Sequence, residues 1–242
     1  MEEAAGLANY LPLSFRSPEE QEYISFLWDA FETNYTHGKY QFAFLAYHML
    51  TMSFVYFNIW QIKQTQPKDF AMGLIGLARD EKALLDATSP FDFSIVPEST
   101  MLRFLRLIAC DNSEIGTYTK LVKDRNDSAH PNGHLYYREQ SALDIKIRQV
   151  LRVVAEIQNH SKHVIEQCYE TFLINNFDPD DREYPEDTDQ VREILVQQNY
   201  LSLEDMKFCV AYDISKISDR PFIEGIEALH MNVCHEYFDV FE

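Results

Sequence analysis

The chain has 242 residues, 46% of them hydrophobic, only seven glycines and a formal charge of −18. That length and apolar share support a sizeable buried core, and few glycines beside many Leu, Glu, Gln and Ala argue for helices over a sheet protein. So large an anionic surplus excludes a general nucleic-acid-coating surface, because phosphates are repelled.

The acidic start, MEEAAGLANY, lacks the positive segment of a secretory leader. Ser17-Pro18-Glu19-Glu20 reads as a helix start, with Ser as cap, Pro in the first turn and Glu20 completing a capping box. Ile24, Leu27, Trp28 and Phe31 then share one stripe, which breaks between Asn34 and Gly38. From Tyr40 to Ile62 no residue is charged, a run long enough to span a bilayer. It contains Gln41, His48, Thr51, Ser53, Asn58 and Gln61, which lipid tolerates poorly. We therefore read about Lys39 to Thr65 as a helix buried on most sides, the rod of a bundle or part of a dimer interface, and expect no membrane partner.

Pro67 and Asp69 open a further expected helix, through Leu74, Leu77 and Leu84 to about Ala87. Residues 89–98 form a connector with two prolines, and Ser99 or Thr100 starts a helix carrying Met101, Phe104, Leu105 and Ile108. Asp111 to Glu114 marks a break and a new cap. The next helix runs through Ile115, Tyr118, Leu121 and Val122, and ends near His130 because Pro131 disfavours helical geometry before it. Asn132-Gly133 is a turn. A long helix follows, about Arg138 to Asn175. Residues 176–189 hold seven acids, one Arg and two prolines, and read as an exposed loop or linker. Three short helices are expected to start near Thr188, Ser202 (with Asp205 as capping-box partner) and Pro221; they either form an appended module or pack back on the bundle. The expected fold is all-α: a bundle of long antiparallel helices over 1–176, an acidic loop or linker at 177–189, and a small helical module over 190–242.

The four cysteines, Cys110, Cys168, Cys209 and Cys234, are far apart and read as buried free thiols in a reducing compartment, so the expected location is the cytoplasm. Residues 120–163 carry eight basic against five acidic residues, a net +3, which leaves −21 on the rest. Inside that stretch lies Arg125-Asn126-Asp127-Ser128-Ala129-His130. The alternative to a functional reading is a surface ion pair of Arg125 with Asp124 or Asp127, and a capping role for His130.

This Arg-x4-His segment, with Asn after the Arg and a helix end at the His, resembles the HEPN superfamily of helical domains, whose ribonuclease members carry Arg-x4–6-His between long helices. The resemblance covers the architecture of about residues 17–175 but only six to nine residues of motif. It implies a metal-independent endoribonuclease, in which the RNA 2′-hydroxyl attacks the adjacent phosphate and a homodimer brings two motifs to one cleft. It also implies a role as a toxin or anti-phage effector held by an antitoxin or regulatory partner. Arg125 suits a phosphate and its developing charge. His130, at a helix C-terminus, suits proton transfer near neutral pH. Asn126 suits a phosphate oxygen or the orientation of a neighbour. Lys120, Lys123, Asn132, His134 and Arg138 are the candidate substrate contacts. On an ideal helix, positions five apart lie about 140° round the axis, so Arg125 and His130 share a face only if the helix ends between them. Some toxin members add a Tyr two residues after the His; here that position is Asn132.

No cofactor or metal is expected. In HPNGH, Pro131 and Gly133 prevent a helical ligand pair of His130 and His134. His160 and His163 are three apart on a helix, but no carboxylate or Cys is placed beside them in sequence, so a solvated or capping role is expected. His48 reads as core. The rival class is a non-catalytic helical interaction protein that binds a partner through an apolar groove; nucleotide binding without cleavage would use the same residues as the enzyme.

Overall fold

The computed structural model describes residues 2–75, 80–217 and 222–238. Helices dominate, and no strand occurs among these residues; the nearest thing is a single bridge between Pro12 and Ser202. Among the described residues, seven α-helices of seven residues or more organise the chain. They are α1 (Pro18–Thr36), α2 (Tyr40–Thr65), α3 (Pro67–Gly73), α4 (Asn112–Ala129), α5 (Gln140–Asn176), α6 (Leu203–Val210) and α7 (Ile223–Phe238).

Local chemistry explains most of the boundaries. The Ser17 hydroxyl accepts from the Glu20 N–H, and Pro18 occupies the first turn of α1. Gly38, at φ +70°, makes the left-handed turn that reverses the chain into α2. Asp111 and Glu114 form a reciprocal capping box at the start of α4. Pro131 leaves His130 extended (φ −78°, ψ 143°). Two expected helices are shorter than their apolar spacing suggests. The helix expected to reach Ala87 is α3, which ends at Gly73; Leu77 lies outside the described residues, and Asp80–Asp86 is a 3-10 turn. A Cβ at Gly73 would meet the Phe104 ring at 3.3 Å, so the close approach of that ring decides the packing there. The helix expected from Ser99 or Thr100 runs as one α turn, Glu98–Met101, and then as a 3-10 helix to Ile108. It is stopped by Ala109 in the left-handed region.

The uncharged helix α2 is the rod of the bundle. It is long and apolar enough to cross a membrane by composition, yet most of it is buried among the other helices. Its polar groups are answered inside the protein. Thr51, Ser53 and Asn58 donate to carbonyls one turn back, and Asn58 accepts from Ser161 on α5. Phe44, Tyr47, Phe54, Phe57, Ile59 and Trp60 around it are essentially inaccessible. Each such side chain contributes roughly 1.5–3 kcal/mol of burial.

Helix α5 serves two apolar clusters. Leu143 to Val164 pack with α1, α2 and α4, while Ile165, Tyr169, Phe172 and Leu173 pack with α6 and α7. The C-terminal segment therefore packs back on the bundle. Leu13 N–H donates to the Leu201 carbonyl at 2.9 Å, and the buried Asp205 carboxylate ties α6 to two other helices. It accepts from Gln61 of α2 (3.0 Å), Gln158 of α5 (2.6 Å) and the Ser202 N–H and hydroxyl (both 2.9 Å). The residue expected to start the last helix, Pro221, lies outside the described residues. The acidic run is less free than its composition suggests. Its one Arg, Arg182, is only 2% exposed and binds the Asn176 and Phe177 carbonyls and Asp187, which folds the run around a buried guanidinium.

Candidate functional site

The site grows from the C-terminal end of α4. Because the last carbonyls of a helix lack intrahelical donors, they must be answered from elsewhere. Here Gln41 of α2 donates to the Ser128 carbonyl at 2.7 Å, and its amide oxygen accepts from the Tyr136 N–H at 3.1 Å. Asn132 donates to the Asp127 carbonyl at 2.9 Å and to the Tyr136 hydroxyl at 2.8 Å, and accepts from the His134 N–H. Asn132, a candidate substrate contact, is thus fully used in closing the helix end. His130 is the C-cap. Its N–H donates to the Asn126 carbonyl at 3.1 Å, and its imidazole is exposed without a hydrogen-bond partner among the described residues.

Arg125 faces the other way. Its guanidinium meets Glu98 at 2.5 Å, and the second Glu98 oxygen meets His48 Nε2 at 3.0 Å. His48 is 2% exposed on α2, so a buried imidazole, a carboxylate and a guanidinium form one chain of contacts across three elements. This replaces the ion pair with Asp124 or Asp127; Asp124 instead pairs with Lys146. Burial pushes the Glu98 carboxyl up, but the hydrogen bonds and charges of His48 and Arg125 outweigh it and hold the group below the ordinary carboxylate value.

Arg125 also lines a cavity of about 990 Å³, with Arg16, Tyr23, Met49, Tyr56 and Glu98 among its walls. Arg16 lies over the Trp60 ring at 5.6 Å, while Arg125 is anchored through Glu98 to His48. His48 and Trp60 are twelve residues apart on α2, so the two guanidiniums are spread over roughly 18 Å of its length. Burial and the nearby Glu98 push the Tyr56 hydroxyl up to about 12. The Glu20 carboxylate in the same wall is held by the Tyr200 hydroxyl at 2.8 Å and the Ser89 hydroxyl at 2.6 Å.

His130, Lys120, Lys123, His134 and Arg138 do not line this cavity; all five are exposed. Lys123 and Arg125 are two positions apart, about 200° round the helix, so the lysines project from the opposite side of α4. Asn126 is half-buried between the two sets. Within one chain, the structure therefore brings Arg125 together with Glu98 and His48, and leaves His130 outside that crevice. Glu98 and His48 were missed by motif reading, since they are 50 positions apart and neither carries a local signal.

An expected outcome follows for Glu98. Its folded value is depressed, so the stability it supplies is present above its ordinary value of 4.5 and is lost as pH falls through the lowered value. Urea unfolding between pH 3 and pH 6 should show a steeper acid loss for the wild type than for Glu98→Gln. Equal slopes would refute the coupling. Compared with family models, with curated proteins and with solved structures, the chain matches none.

Proposed function

We propose that the protein is a metal-independent endoribonuclease of the Arg-x4-His type, working as a homodimer. The observation that supports it best is the end of α4. The helix stops at Ala129, the extended backbone of His130 presents an exposed imidazole, and Arg125, five residues earlier, is oriented by Glu98 and His48. An oriented guanidinium is suited to charge developing on a phosphate, and a free imidazole to moving the 2′-hydroxyl proton. One Arg and one His on different sides of a helix do not complete an acid–base pair, so a second chain supplies the missing groups. Phe42 and Leu135, 60% and 63% exposed beside the Gln41 bonds that close the helix end, are apolar surface available to such a partner.

The test uses single-stranded RNA in excess chelator, at a temperature where the fold persists. The expected result is cleavage that leaves 2′,3′-cyclic phosphate ends, by a particle of twice the 28.4 kDa chain mass, with Phe42→Glu giving inactive monomers. A monomeric wild type, or RNA left intact, would sink the proposal. The role as a toxin or defence effector follows from the same reading: expression of the wild type slows growth and expression of His130→Ala does not.

A second reading is favoured by the cavity itself, whose volume is that of a small-ligand site and whose lining omits His130. On this reading Arg16 and Arg125 meet the two ends of an elongated organic anion, and the protein binds without cleaving.

A further inference from the structure

Sequence spacing left His160 without metal-binding company, but the tertiary fold supplies it. Cys110 precedes the cap of α4, Glu114 lies in the first turn of that helix, and His160 comes across from α5. A Cys110 sulfur, a Glu114 carboxylate oxygen and a His160 ring nitrogen all lie within 4.8 Å of one another. His160 Nε2 already meets Glu114 Oε1 at 2.9 Å, and Glu114's other oxygen accepts the Asp111 N–H at 2.6 Å, which orients the carboxylate from behind. Tyr118, one turn along α4 and 1% exposed, places its buried hydroxyl against the Cys110 thiol, where it can donate to the sulfur. A donor in that position supports a metal-bound thiolate from behind.

We propose that Cys110, Glu114 and His160 form a site for a thiophilic divalent cation, zinc by preference, which clamps the start of α4 to α5. A thiolate, an imidazole and a carboxylate are the zinc donor set; tetrahedral bonds of about 2.0–2.3 Å place ligand atoms roughly 3.3–3.7 Å apart, so the sulfur moves in by no more than about 1 Å and the His160–Glu114 pair opens by roughly half that. Binding sends the thiol proton to solvent and moves the imidazole proton to Nδ1, freeing Nε2 for the metal. Glu156, one turn before His160 on α5 and close enough for its charge to act on Cys110, or a water, takes the fourth position. His163, exposed and with Nδ1 against the His160 carbonyl at 3.1 Å, is not among the donor atoms that come within 4.8 Å of one another. Arg125 lies eleven residues beyond Glu114 on α4, roughly 16 Å along the helix, so the clamp stands apart from the proposed cleavage chemistry.

The test is titration of the reduced, metal-stripped full chain with Co(II), followed by zinc. The expected result is a thiolate-to-cobalt charge-transfer band that saturates at one equivalent and is removed by zinc. Cys110→Ser abolishes the band, and Cys234→Ser, which removes the thiol beside His230, leaves it unchanged. His160 is half-exposed, so His160→Gln should fold normally and serves where Cys110→Ser does not. Its affinity should fall by more than the ~10–100-fold that losing an outer-shell partner costs. Zinc should raise the Tm of the wild type and not that of His160→Gln. No band, a band that survives Cys110→Ser, or an affinity unchanged in His160→Gln overturns the proposal. Neither outcome touches RNA cleavage, which is read separately.

Discussion

His130→Ala is expected to lower RNA cleavage by roughly 10²–10⁴-fold, the contribution of a positioned acid or base, equivalent to about 2.7–5.4 kcal/mol of barrier. The argument rests on the contrast between its surroundings and its proposed task. The ring is exposed and makes no hydrogen bond among the described residues, so its removal should change stability by no more than about 0.5 kcal/mol. Activity and stability are thereby separated in one variant. Arg125→Ala does not separate them, since it strands the half-buried Glu98 between His48 and an empty space. Arg125→Lys keeps the charge and loses the fork that can hold Glu98 and a phosphate together, so it should retain the fold and lose most of the cleavage. The measurement is the initial rate on a defined single-stranded RNA, with urea midpoints for each variant. A His130→Ala protein that keeps more than a tenth of the wild-type rate would count against the nuclease, and would favour a ligand in the cavity lined by Arg125.

Asp205→Ala is expected to be strongly destabilising, by roughly 3 kcal/mol, because it leaves the Gln158 amide and the Ser202 N–H buried without an acceptor and Gln61 with only its longer bond to the Tyr200 carbonyl (3.3 Å). For a chain of this length that corresponds to a Tm lower by roughly 6–12 °C. The loss should fall on the packing of α6 against α2 and α5. Asp205→Asn keeps one acceptor oxygen and should cost less. Burial raises the Asp205 carboxyl above its ordinary value, and this outweighs the bonds from Ser202, Gln158 and Gln61 that lower it. The native state therefore binds the proton more tightly than the unfolded chain. Through this group stability is greatest below 3.8 and declines as pH rises through the raised value, opposite in sign to Glu98. A thermal melt in which Asp205→Ala matches the wild type would refute the role assigned to this network.

What the residues by themselves determined is what short-range physics controls. The starts of α1 and α4 follow from Ser17-Pro18 and from Asp111 with Glu114, whose bonds span three residues or fewer. The end of α4 follows from Pro131, and the burial of α2 from a run too apolar to face water and too polar to face lipid. The 3-10 stretch after Met101 and the stop at Gly73 were not legible, because the Phe104 ring that crowds Gly73 comes from about thirty residues away. Only the tertiary structure decided which polar side chains meet. Glu98 with His48 and Arg125, Asp205 with Gln61 and Gln158, and Cys110 and Glu114 with His160 are joined across 27 to 144 positions. Periodicity tells which residues turn inward. It carries no information on which partner they find there, since that depends on how whole helices cross and on the requirement that each buried charge or amide be answered.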